Sequence, residues 1–212
     1  MKTMRLGALV FALLFVPFSA GAETFQAGRD YQVLTFPVLP ETGNKVEVRE
    51  FFWFGCPHCY LIEPELNQWL KHLPATATFI RTPGVAPRWL THAEVFYALE
   101  AMGIEHKLHS TIFDAVQRGE PIDDEDAAAT FLSHHGVDAK KFQDAFKSFG
   151  VHMKMEQAKH LNEALGIDAV PTFVVDGKYK TGAELAGSNA RLFQVLDYLI
   201  AKAAQERKQR AK

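Results

Sequence analysis

Cysteine is scarce in this 212-residue chain: Cys56 and Cys59 are the whole complement. A disulfide stabilises mainly by closing a long loop in the unfolded chain, and this separation closes almost none. The pair therefore excludes a disulfide-stapled scaffold. It also excludes a four-ligand zinc site of the usual kind, because Cys-x-x-Cys supplies only two ligands. None of the nine histidines pairs with it at ligand spacing. His134-His135 and His106/His109 read as surface or interface residues. Tyr60, not histidine, follows the second cysteine, which excludes c-type haem attachment. No metal and no cofactor is expected.

An excess of either charge is also missing, with 23 basic and 25 acidic residues. That balance leaves no nucleic-acid footprint. The one basic cluster, residues 207–212, reads as a solvated helix end. A membrane-length apolar run is absent too. Leu6 to Phe18 is nearly continuous apolar sequence, but a bilayer core needs about 20 such residues. Lys2 and Arg5 precede this run and Ala20-Gly21-Ala22 follows it, which is the order of a secretory signal peptide cleaved after Ala22. The leader holds two basic residues and no acid, so residues 23–212 carry 21 basic and 25 acidic residues, net −4. There is no internal repeat and no low-complexity stretch. Nothing calls for a dimer, and a monomer is expected.

Val46 to Phe54 is β-branched and aromatic and predicts a central strand ending at Gly55. Ile62, Leu66, Trp69, Leu70 and Leu73 then fall at helical spacing. The cysteines thus sit at a strand-to-helix junction. Pro57 suits the first turn, where an N–H has no partner to lose, and Pro64 should kink the helix. Thr78 to Thr82 predicts the next strand. From Thr91 to Leu165 the pattern is helical, with four or five helices. Thr91 with Glu94 reads as a capping box, Asp123 and Asp138 as N-caps, and Gly103, Gly119, Gly136, Gly150 and Gly166 as C-terminal caps. Thr172–Val175 and Lys178–Thr181 flank Asp176-Gly177, a two-residue hairpin signal. Ser188 caps a last helix.

The chemistry follows from that junction. Unpaired N–H groups at a helix start carry partial positive charge. They stabilise a thiolate on Cys56, and His58 adds a further donor and, when protonated, a cation. Cys59, one turn further in, becomes the resolving thiol. A stabilised Cys56 thiolate favours the reduced pair, so the disulfide is an oxidant. Glu50, six residues before Cys56, reads as a buried acid able to exchange a proton with Cys59; the alternative is an exposed strand-end acid.

The run Glu50-Phe51-Phe52-Trp53-Phe54-Gly55-Cys56-Pro57-His58-Cys59-Tyr60, followed by Glu63 and Pro64, resembles the DsbA family, periplasmic oxidases of Gram-negative bacteria that form disulfide bonds. Val170-Pro171-Thr172 and Asp176-Gly177-Lys178-Tyr179 match its later motif. The resemblance implies an α/β thioredoxin fold with an inserted all-helical subdomain. Residues 23–88 and 167–212 would form the thioredoxin halves and 89–166 the insert. It implies that Cys56 is the nucleophile, Cys59 the resolving thiol and His58, beside Pro57, the tuning residue. Val170 and Pro171, in a cis-proline loop, would bind substrate backbone, and Glu50 and Glu63 would be acids under the site. The lysine this family often carries on the following strand has no counterpart; Arg81 lies nearby but out of register. Substrates would be reduced exported proteins, and a DsbB-like membrane quinone reductase would restore the disulfide. Competing readings are an isomerase or reductase of the same fold, and a chaperone using an apolar groove. Only 23 residues, 23–45, precede the central strand, too few for an isomerase's dimerisation domain.

Overall fold

A computed structural model describes residues 25–210. The proposed leader lies outside the described residues. The elements run β1 (Gln32–Val33), β2 (Val46–Phe52), α1 (Pro57–Leu70), β3 (Ala77–Pro83), α2 (Leu90–Ala101), α3 (Glu105–Gln117), α4 (Glu125–His134), α5 (Ala139–Phe146), α6 (Phe149–Ala164), β4 (Thr172–Val175), β5 (Tyr179–Thr181), α7 (Ala183–Ala186) and α8 (Asn189–Arg210). Among the described residues no helix is long and apolar enough to cross a membrane.

All seven residues of β2 are buried, which explains its apolar, β-branched and aromatic composition. It lies between β3, parallel to it, and β4, antiparallel to it, in a five-stranded sheet of order β1-β5-β4-β2-β3. Helix α1 makes the crossover that two parallel neighbours require. Side chains alternate across a strand. Val46 and Val48 therefore pack with Ile62 and Leu66 of α1 and Leu196 and Leu199 of α8, whereas Phe51 packs on the opposite face with Leu165 and Val174. Glu50, in step with Val46 and Val48, falls on the α1 face, below the cysteines.

The β4–β5 turn is set by Asp176 and Gly177, both at positive φ (56° and 61°), the geometry of a type I′ hairpin. A Cβ on Gly177 would lie 1.8 Å from the Val38 carbonyl oxygen, so glycine is required twice over. Between β3 and β4 come the five helices α2 to α6. Phe96, Leu99, Phe113, Ile122, Leu132 and Phe142 fill a core that also takes in Phe52, Phe54, Cys56 and Cys59. Burying each such large side chain contributes about 1.5–3 kcal/mol. The helical layer is thereby packed directly onto the end of β2 that carries the cysteines.

Several local expectations are corrected. Strand β2 ends at Phe52, because Trp53 enters a turn whose carbonyl accepts the Cys56 N–H at 2.9 Å. The α2 N-cap is Trp89, without a side-chain cap, so Thr91 and Glu94 form no capping box. Asp124, not Asp123, caps α4 by accepting the Ala127 N–H at 2.8 Å. Gly150 lies in the first turn of α6, which Ser148 caps; Gly103, Gly119, Gly136 and Gly166 do take the positive φ of helix ends. Arg207 is not a solvated tail residue. It binds Asp176 and donates to the Gly43 carbonyl at 2.6 Å, tying α8 to the hairpin.

Candidate active site

Cys56 is the N-cap of α1, in extended conformation (φ −86°, ψ 116°), with Pro57 following at the helix start. This geometry turns its side chain over the first helical turn. Sγ accepts the Cys59 N–H at 3.4 Å, and the thiol donates to the Val170 carbonyl at 3.3 Å. Both cysteines are free thiols. The Val170–Pro171 peptide is cis. Thus two segments 114 positions apart meet at one sulfur.

The two thiols have opposite environments. The Cys59 thiol, the Cys59 and His58 amides and the charge of His58 hold the Cys56 pKa at about 6, against burial and from an ordinary 9.0. Cys59 is fully buried. Burial, with the negative charges of Cys56 and Glu50, pushes its thiol far above the ordinary range. His58 and Pro57 are exposed beside Cys56. His58, Leu61, Val170, Pro171, Gly182 and Leu185 line part of a cleft of about 760 Å³. Leu61 is 63% exposed there, an apolar side chain on the outer face of α1 that the helical pattern alone did not single out.

Below the thiols lies a charged cluster. Glu50 is fully buried, and Arg81 Nε lies 3.2 Å from its Oε2. Arg81 Nη2 also donates to both oxygens of Glu63, at 3.0 and 3.1 Å. The expectation that Arg81 is out of register is wrong: β2 and β3 pair Glu50 directly with Arg81. His109 is likewise not a surface residue. It is 4% exposed, with Nδ1 against Glu105 and Nε2 3.5 Å from Glu63. The two acids that share Arg81 differ for a physical reason. Burial, helped by the neighbouring Glu63 charge, raises Glu50 to about 7, outweighing Arg81 and His109. Burial acts on Glu63 too, but His109 and Arg81 prevail and hold its carboxyl below the usual range. Two neighbouring carboxyls with proton affinities pushed apart are the arrangement of an acid–base site. Glu50, Glu63, Cys56 and Cys59 are brought together; the histidine and arginine between them came from elements whose alignment the pattern did not reveal. Among the described residues no group of three or more His, Cys, Asp or Glu is placed to hold a metal ion.

Comparison with known proteins agrees with this geometry. A family model described as a DSBA-like thioredoxin domain matches residues 72–199. The thiol:disulfide interchange protein DsbA of Pseudomonas syringae pv. tomato is 39% identical over 197 residues, covering 92% of each chain. Its namesake in Burkholderia cepacia is 42% identical over 186 residues, covering 86% of this chain and 87% of that one. The crystal structure of Pseudomonas aeruginosa DsbA superposes with a TM-score of 0.82 at 38% identity, covering 89% of this chain and 97% of that one. With a reactive thiol on a helix N-terminus and a buried partner one turn behind it, the chain belongs to the family of DSBA-like thioredoxin domains and is a thiol–disulfide oxidoreductase.

Proposed function

We propose that this chain is a periplasmic oxidase that donates its Cys56–Cys59 disulfide to newly exported proteins. A substrate thiolate attacks Cys56 Sγ and breaks the Cys56–Cys59 bond. Cys59 leaves as a thiolate and takes a proton from Glu50, whose raised proton affinity keeps one available near neutral pH. The second substrate thiolate then attacks its own sulfur in the mixed disulfide. The substrate leaves oxidised by two electrons, and Cys56 leaves as a thiolate. The Val170 carbonyl and Pro171 would align the substrate backbone beside Cys56, as an added strand does. A DsbB-like membrane quinone reductase would take up the two electrons and restore the disulfide. The chain would reach the periplasm through a leader cleaved after Ala22 and act as a monomer. Residues 89–166 would form a helical subdomain inserted between thioredoxin halves 23–88 and 167–212.

The observation that carries this reading is the opposite displacement of the two thiols. A Cys56 near 6 is a good leaving group and a stable product, so electrons favour this pair. Equilibration with glutathione tests it. The expected result is a reduction potential well above that of glutathione, with rapid oxidation of a reduced test protein. A potential at or below that of glutathione would overturn the oxidase reading and favour a reductase.

A further inference from the structure

Three carboxylates, Glu50, Glu63 and Glu105, share the space between β2, β3, α1 and α3 with two basic side chains, Arg81 and His109. One guanidinium cannot neutralise three acids. The second basic group comes from the helical layer. His109 Nδ1 faces Glu105 on its own helix, and Nε2 faces Glu63 on α1. Arg81 of β3 lies on the far side of Glu63, and Glu50 of β2 lies beyond Arg81. Helix α2 meets the ring with Phe96. Phe52, Phe54 and Phe113 each lie 5.1 Å from it, centroid to centroid, and hold it in place. A ring with a carboxylate at each nitrogen is suited to the imidazolium, since a neutral ring points a lone pair at one of them.

We propose that His109 is a positioning residue of the redox reaction: as an imidazolium it holds Glu63 against Arg81 and so sets how tightly Glu50 keeps the proton it exchanges with Cys59. This rests on the reading of Glu50 as proton carrier. The carboxylates of Glu105 and Glu63 hold His109 above its ordinary range, overcoming burial and the repulsion of Arg81. Loss of its charge leaves Arg81 alone against three acids, and Glu50 then binds its proton more tightly.

The test uses the full-length reduced protein mixed with oxidised glutathione. At saturating reagent, the step independent of reagent concentration is the attack of Cys59 on the mixed disulfide. Its rate should rise with pH through a limb near 7, the Glu50 titration. In His109→Gln the limb is expected to move up by about one pH unit, the low end for a charge partner removed from a carboxyl. The Cys56 titration should stay where it is. A limb that does not move, or a Cys56 titration that moves with it, overturns the proposal. Glu50→Gln should abolish the limb and make His109→Gln without further effect. A limb that persists in Glu50→Gln overturns the proton-carrier reading itself. The ring nitrogens of His109 in the unmodified protein give a measurement independent of variant folding. Their chemical shifts should report an imidazolium at pH 7, and a neutral ring there overturns the proposal.

Discussion

Replacing Cys59 with alanine removes the strongest single stabiliser of the Cys56 thiolate and leaves the others in place. The Cys56 thiol is moved from 9.0 to about 6, or about 4 kcal/mol of preference for the thiolate at 1.36 kcal/mol per unit. The largest contribution is the hydrogen bond from the Cys59 thiol; the Cys59 and His58 amides and the His58 charge follow. A hydrogen bond to a charged group contributes about 1.5–3 kcal/mol. Its loss in Cys59→Ala should therefore raise Cys56 by about 1–2 units, to about 7–8. The sign matters for stability. A depressed acid stabilises the folded, reduced protein fully above its unfolded value, and the effect is lost as pH falls through about 6. Thiolate absorbance in the ultraviolet, or the pH dependence of alkylation, reads the titration directly in the single-cysteine variant. A Cys56 still at about 6 would refute the ranking and assign the effect to the Cys59 and His58 amides and the His58 charge. A return to 9.0 would refute the claim that the amides and His58 contribute.

His58→Ser should raise the Cys56 titration by less than Cys59→Ala does, because the backbone amide survives and only the side-chain charge is lost. The glutathione equilibrium should become less oxidising, and an unchanged equilibrium would remove the role given to His58. Glu50→Gln should raise the melting temperature at pH 8 and leave it nearly unchanged at pH 4. An acid whose folded pKa is raised to about 7 costs stability as pH climbs from 4.5 to 7, by about 3 kcal/mol at most. Equal melting shifts at both pH values would contradict a buried, protonated Glu50. Gly177→Ala should cost about 1–3 kcal/mol, since the alanine would be strained at φ 61° and would strike the Val38 carbonyl. Chemical unfolding measures the cost, and a titration of Cys56 in the variant should match the parent.

What could be read locally was read from short-range rules. Cys56 precedes a proline and an apolar pattern of helical spacing, so its place on a helix N-terminus follows from residues within one or two turns. Asp176-Gly177 between two strand-forming runs specifies its turn for the same reason: the backbone demand lies in those two residues. The helical insertion was legible because helical spacing runs almost unbroken from Thr91 to Leu165, whereas the thioredoxin fold was implied by the family resemblance of the runs around Cys56 and Cys59 and around Val170-Pro171-Thr172. The support beneath the cysteines was decided elsewhere. Strands begun at Val46 and Thr78 would place Glu50 opposite Thr82. The actual pairing of Val46 with Ala77 shifts the ladder by one residue and puts Arg81 there instead. A one-residue slip turns every side chain to the other face, and nothing local distinguishes the two registers. His109 looked like a surface histidine for a similar reason. Its burial depends on α3 lying across Phe52, Phe54 and Glu63, which are about fifty positions away in the chain and adjacent only after the layers pack. The sequence by itself determined a reactive cysteine pair at the mouth of a helix. Only the tertiary structure decided which charges lie under it, because electrostatic partners are chosen by proximity in space and not by spacing along the chain.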